Sequence, residues 1–339
     1  MANQFINQRK YTYIIAEMAC SHEGNPKLGE KIIDGAGQAG ADAIQFQIWN
    51  LKKMMVPQHP DFEGVSKIEL SRDEWSSLVV IARERFPAMD IIACVYERSS
   101  VDFCQEINVD AYKIHSADLS NPYLVKYAAE TGKRIDLSVG ASTLDEIQTA
   151  LAWIQSTSES PVWLMYGYQN FPTKPDEIHL DFVKTLTESF ELPVGYQDHS
   201  DAESDAAFWL PAYAMGLGVN IQEKHITHNR SLKGFDHEAA LNPDEFALFV
   251  QMIRTIEGAK GISTPKPFTE EELKYRKYAK KSLVAAHDLP AEKVITENDL
   301  AFMRADDLGL PPDQGERLIG KKTKHKINKY QIIREDDLT

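Results

Sequence analysis

Two histidines carry the clearest chemistry in the sequence. Each closes an apolar run of strand character, residues 193–199 (PVGYQDH) ending at His199 and 219–225 (VNIQEKH) at His225, and one helix length of chain separates the runs. Where strand and helix alternate, two such endings fall at the same edge of neighbouring parallel strands. Paired imidazoles there can hold one divalent ion and leave positions open for water and a substrate oxygen. Either histidine alone reads as a hydrogen-bonded core filler; the matched pair points to a metal-assisted enzyme. Asp198 and Glu223 adjoin the pair and could orient the rings through hydrogen bonds, or serve as plain helix caps.

Lys113 closes another run, 111–116 (AYKIHS), with Ser116 and Asp118 just beyond it. A cation and a hydroxyl projecting together suit a phosphate or a carboxylate, and a lysine whose pKa burial lowered could instead form a Schiff base. Residues 21–25 (SHEGN) set Glu23 ahead of a helix as a candidate acid, base or sugar-hydroxyl acceptor. Residues 234–237 (GFDH) add Asp236 soon after His225. Glu17 and Cys20 read equally well as packing between strands.

The elements that must position these groups follow one rhythm. Short β-branched or apolar runs near 13–19, 43–47, 90–95, 111–114, 134–138, 162–166, 194–196 and 220–224 read as strands. Helix-period segments follow near 27–38, 72–85, 99–107, 121–131, 143–156, 180–190, 203–215 and 244–259. Eight alternations predict a (β/α)8 barrel, with chemistry at the carboxyl ends of the strands. The stretch 48–70 is longer than an ordinary βα loop and is expected to be a lid or an interface arm. These signals predict a barrel domain over 1–262, a linker over 263–279 and a small β-rich domain over 280–339. In the tail, 294–300 (VITENDL) and 332–338 (IIREDDL) repeat at a spacing of 38 residues.

Composition narrows the partners. The 339-residue chain carries a net charge of −14. The acidity lies before Lys280, with 26 Lys and Arg against 40 Asp and Glu, while the tail balances 11 against 11. Such a body lacks the basic face that displaces counterions from nucleic acid; Lys321, Lys322, Lys324 and Lys326 read as a solvated face. Three cysteines without metal-type spacing fit a reducing cytoplasm. No apolar signal core opens the sequence, and the longest uncharged stretch, 206–222, is too short for a membrane span.

With these residues in view the chain resembles the sialic acid synthase family, whose members condense phosphoenolpyruvate with an N-acylated amino sugar to give a nine-carbon 2-oxo sugar acid and phosphate. The resemblance runs through 14–24 (IIAEMACSHEG), 40–47 (GADAIQFQ), 111–119 (AYKIHSADL), 137–146 (LSVGASTLDE), 171–173 (FPT), 194–200 (VGYQDHS), 223–227 (EKHIT) and 234–237 (GFDH). It continues into an antifreeze-like (SAF) tail through 282–285 (SLVA) and 318–322 (LIGKK). It implies manganese or magnesium on His199 and His225, and phosphoenolpyruvate on Lys113, Ser116 and Ser138. Glu23, Gln47 and Asp236 would face the sugar, and Glu23 or Asp118 would move protons. Arg304, within 302–305 (FMRA), would reach a partner's pocket in a swapped homodimer. Departures gather at the donor end. Gln45 stands where the family usually has lysine, and Cys94, Gln169 and Gln197 replace threonine, asparagine and serine. Elsewhere Asp118 replaces glutamate and Phe171 replaces tyrosine, which would move the acid and reshape the sugar pocket. An aldolase using another enolate, or a sugar-binding relative without turnover, remains open on these residues.

Overall fold

The computed structural model describes residues 11–170 and 173–339; Phe171, expected to shape the sugar pocket, lies outside the described residues. The chain divides into two compact units after Gly261.

In the first unit, β1 (Tyr13–Glu17), β2 (Ala43–Ile48), β3 (Asp90–Val95), β4 (Ala111–Ile114), β5 (Arg134–Ser138), β6 (Val162–Tyr166), β7 (Val194–Asp198) and β8 (Ile221–His225) close a parallel barrel in sequence order. The barrel predicted from the alternation is therefore the fold. Its helices are α1 (Pro26–Ala39), the short α2 (Leu51–Met54) and α3 (Phe62–Ser66), α4 (Arg72–Arg85), α5 (Arg98–Glu106), α6 (Pro122–Ala129), α7 (Leu144–Thr157), α8 (Phe182–Phe190), α9 (Ala206–Gly216) and α10 (Pro243–Lys260). Local chemistry sets their ends. Asn25 caps α1 by accepting the Lys27 N–H, and Gly40 ends it in the left-handed region. Ser71 with Glu74 and Thr143 with Glu146 make reciprocal capping boxes on α4 and α7. The stretch 48–70 holds α2 and α3, and its Trp49, Leu51 and Ile68 pack with Cys20 and Tyr96.

The period of two along each strand separates two cores. Ile14, Ile44, Ala93, Tyr112, Leu137 and Leu164 face the helices in one cluster. Tyr13, Ile15, Ala43, Ile92, Ala111, Trp163, Met165 and Ile221 fill the barrel in another. Gly195 leaves room for the latter, since a methyl group on it would sit 2.6 Å from the Met165 sulfur. Charge also enters the barrel interior. Arg134 binds Asp136 through Nε at 2.8 Å and stacks 3.7 Å over the Trp163 ring, while the Tyr13 hydroxyl donates to Asp90 at 2.6 Å.

The second unit pairs β9 (Lys281–Ala285) antiparallel with β10 (Leu300–Arg304), preceded by α11 (Glu270–Ala279). The 38-residue repeat has a structural counterpart. Glu297–Asp299 and Glu335–Asp337 are equivalent 3₁₀ turns, and His287–Asp299 and His325–Asp337 pair at 3.0 and 3.1 Å. No helix among the described residues is long and apolar enough to cross a membrane.

Asp136 is fully buried, so Arg134→Ala strands a carboxylate in the barrel and is expected to lower unfolding free energy by about 3–5 kcal/mol. In urea titrations the Arg134→Met/Asp136→Leu double variant should recover most of that loss.

Candidate active site

A cavity of about 210 Å³ opens at the carboxyl ends of the barrel strands, lined by Glu17, Cys20, Gln47, Tyr96, Lys113, His115, Ser138, Gln169, Gln197, His199, Glu223, His225 and Asp236. Glu17, Gln47, Lys113, Ser138, Gln197, Glu223 and His225 reach it because they share the inward parity of the barrel filling. In a larger cleft of about 420 Å³ beside Trp49 the charged groups are already engaged: Lys53 with Ser99, Arg72 with Glu106, and Glu69 with the Leu51 N–H.

The two histidines come together. Their ring centroids lie 5.1 Å apart. His199 Nδ1 lies 2.8 Å from the Tyr168 carbonyl oxygen; because a carbonyl only accepts, Nδ1 carries the proton and Nε2 keeps its lone pair. Burial, then Lys113, holds the His199 imidazole down to about 4. Burial, then His199 and Lys113, holds His225 well below its usual value. Both rings are thus neutral at physiological pH and able to ligate a metal. No group of three or more His, Cys, Asp or Glu among the described residues is arranged to hold an ion, so an ion on these two imidazoles would need its further ligands from substrate or water.

The flanking carboxylates serve other partners than those considered from sequence. Asp198 faces outward and accepts from Lys224 at 2.6 Å, from the Tyr196 hydroxyl at 2.8 Å and from Ser200. Glu223 accepts from Lys113 at 2.5 Å. Burial alone would lower the Lys113 ammonium, but Glu223 and Glu17 raise it above its ordinary value. These two carboxylates favour the charged form of the lysine. Glu17, an interior filler by sequence, is a central member of the pocket: it accepts the Ala19 N–H at 2.6 Å and the Gln47 amide at 3.3 Å. Burial, only partly offset by Lys113, pushes its carboxyl up to about 8.

Other expected residues fall outside the cavity lining. Glu23 sits near His237 at 3.4 Å. Asp118, half-buried, accepts the Asn121 amide at 3.0 Å, and Ser116 begins the same 3₁₀ turn. Gln45 and Cys94 are buried within β2 and β3; neither polar atom of the Gln45 amide finds a partner. Arg304 is exposed on β10 of the other unit. Asp236 does line the pocket and accepts the Cys20 N–H at 3.2 Å. The two longer amides fit because glycines face them. A methyl on Gly167 would collide with the Gln197 carbonyl oxygen and lie 2.6 Å from its Cγ, and one on Gly140 would lie 2.7 Å from Gln169 Nε2. Gln197 Nε2 donates to Ser138 Oγ at 2.9 Å. Sequence reading passed over Tyr96 and His115; the inward parity and strand-end position of His115 were the available signals.

A closed parallel barrel with convergent titratable groups at its carboxyl edge defines a (β/α)8 enzyme. The chain belongs to the NeuB family, matched over residues 32–264, followed by a SAF domain over 280–339. It is 29% identical to the N,N'-diacetyllegionaminic acid synthase of Campylobacter jejuni, over 96% of this chain and 100% of that one. It is 27% identical to human N-acetylneuraminate-9-phosphate synthase, over 96% and 92%. The solved N-acetylneuraminic acid synthetase of Leptospira borgpetersenii, in complex with citrate, superposes with a TM-score of 0.71 at 29% identity, covering 78% of this chain and 91% of that one.

Gly167→Ala is expected to cost about 1–3 kcal/mol in urea unfolding through overpacking against Gln197. Gly216→Ala, with open space around it, should leave stability unchanged or slightly higher.

Proposed function

We propose that the protein is a sialic-acid-type synthase that joins phosphoenolpyruvate to the open-chain form of an N-acylated amino sugar, giving a nine-carbon 2-oxo sugar acid and phosphate. The observation that carries this reading is the content of the cavity. Two neutral imidazoles at adjoining strand ends, His199 and His225, share it with one charged lysine and with Glu17, whose carboxyl keeps its proton to about pH 8. His199 and His225 would hold manganese or magnesium, which supplies Lewis-acid polarisation of the sugar aldehyde when bound. Lys113 offsets the negative charge of the donor and is itself oriented by Glu223. The enol carbon of phosphoenolpyruvate attacks the aldehyde carbon, water adds at the donor's second carbon, and the tetrahedral intermediate loses phosphate. Glu17 donates the proton that converts the new alkoxide to a hydroxyl, in place of Glu23 or Asp118, which lie outside the cavity. Asp236, Gln47 and Gln169 face the sugar, while Ser138 and Gln197 border the donor. On the same reading the working unit is a cytoplasmic homodimer in which Arg304 reaches a partner's pocket.

Incubation with phosphoenolpyruvate, a panel of N-acyl hexosamines and manganese should release one phosphate per 2-oxo acid formed. Turnover without phosphate would indicate an aldolase, and sugar binding without turnover a non-catalytic relative. His199→Ala and His225→Ala should each reduce the rate by about 100-fold or more and weaken manganese binding measured by calorimetry.

Because the Glu17 carboxyl holds its proton below about pH 8 and is needed as an acid, kcat should fall as pH rises through that value. Glu17→Gln should lower kcat by about 100-fold and erase the alkaline limb in a profile from pH 6 to 9.5.

A further inference from the structure

His115 follows β4 directly, two positions beyond Lys113, and lines the same cavity. Its Nδ1 accepts the Ala117 N–H at 3.2 Å. That acceptor role leaves the proton of the neutral ring on Nε2, the edge remote from its own backbone. Burial, then Lys113, holds the imidazole down to about 4, so the ring is uncharged at physiological pH. It lies tilted against Tyr96 with centroids 5.9 Å apart. Tyr96 is fixed in turn by donating to Gln47 Oε1 at 3.0 Å, and Gln47 donates to Glu17. One side of the pocket therefore holds His115 in a single tautomer and orientation.

The charge inventory gives this ring a task. Phosphoenolpyruvate brings a phosphate and a carboxylate, yet Lys113 is the one lysine or arginine among the described lining residues, and it already contacts Glu223. Besides the metal and Lys113, uncharged donors can hold a second oxyanion, and a neutral imidazole does so without adding charge beside the lysine.

We propose that His115 is a binding residue for an oxyanion of the three-carbon donor, its phosphate or its carboxylate, through Nε2–H beside Lys113. This proposal builds on the synthase reading above and adds one donor contact to those of Lys113, Ser138 and Gln197.

Steady-state kinetics on the full-length protein test it. His115→Phe keeps an aromatic ring against Tyr96 but removes the donor. It should raise the KM for phosphoenolpyruvate about tenfold while kcat and the KM for the sugar stay within about threefold. His115→Gln retains an N–H donor and should restore the KM to within about threefold of native. If His115→Phe fails to fold by circular dichroism, His115→Leu must show the same rise. Inhibition by inorganic phosphate and by pyruvate, compared between native and variant, identifies the end contacted: the inhibitor whose potency drops marks the group. An unchanged KM in a variant of an active native enzyme, or a loss confined to kcat, overturns the proposal and leaves the synthase reading standing. A native protein that releases no phosphate with any sugar overturns both.

Discussion

Burying the Lys113–Glu223 ion pair inside a closed barrel is the constraint from which the character of the pocket follows. Both side chains are nearly inaccessible to water and their charged atoms lie 2.5 Å apart. Desolvating two such charges is costly, and removing either partner would leave the other uncompensated. The lysine acts well beyond its own contact. It restrains the upward shifts of Glu17 and Cys94 and adds to the burial that keeps His199, His225 and His115 uncharged. One fixed positive charge thus tunes three imidazoles and a carboxylic acid, because field lines in a low-dielectric interior are poorly screened.

A second buried pair works on the other side of the barrel wall. Lys224 and Asp198 stand opposite each other in the β7–β8 register, and each immediately precedes one of the histidines. Since successive residues point to opposite faces, the pair packs behind the wall while His199 and His225 emerge in front of it. The Asp198 carboxylate is saturated by Lys224, Tyr196 and Ser200.

Two glycines make room for long amides beside the cavity. Gln197 and Gln169 occupy volume that side chains at positions 167 and 140 would otherwise claim. In a close-packed interior, lengthening one side chain requires shortening its neighbour. Gln45 lies lower in the barrel, where its unpaired amide marks a polar position that packing alone does not explain.

Much of this was legible from the chain alone. Alternating short apolar runs and helix-period segments specify eight strands, and the carboxyl ends of those strands put His199, His225, Lys113 and Ser138 at one barrel edge. Those properties are local and repeat along one dimension. Position along a loop does not say which way a side chain turns, and Glu23, Ser116 and Asp118 sit in turns outside the cavity lining. The partner of a charge is likewise a three-dimensional matter: 110 residues separate Lys113 from Glu223, and only barrel closure brings them together. That closure made Glu17 an acid rather than filler, kept Lys113 charged, and left His115 neutral beside it, because protonation depends on burial and on neighbours that share no sequence spacing.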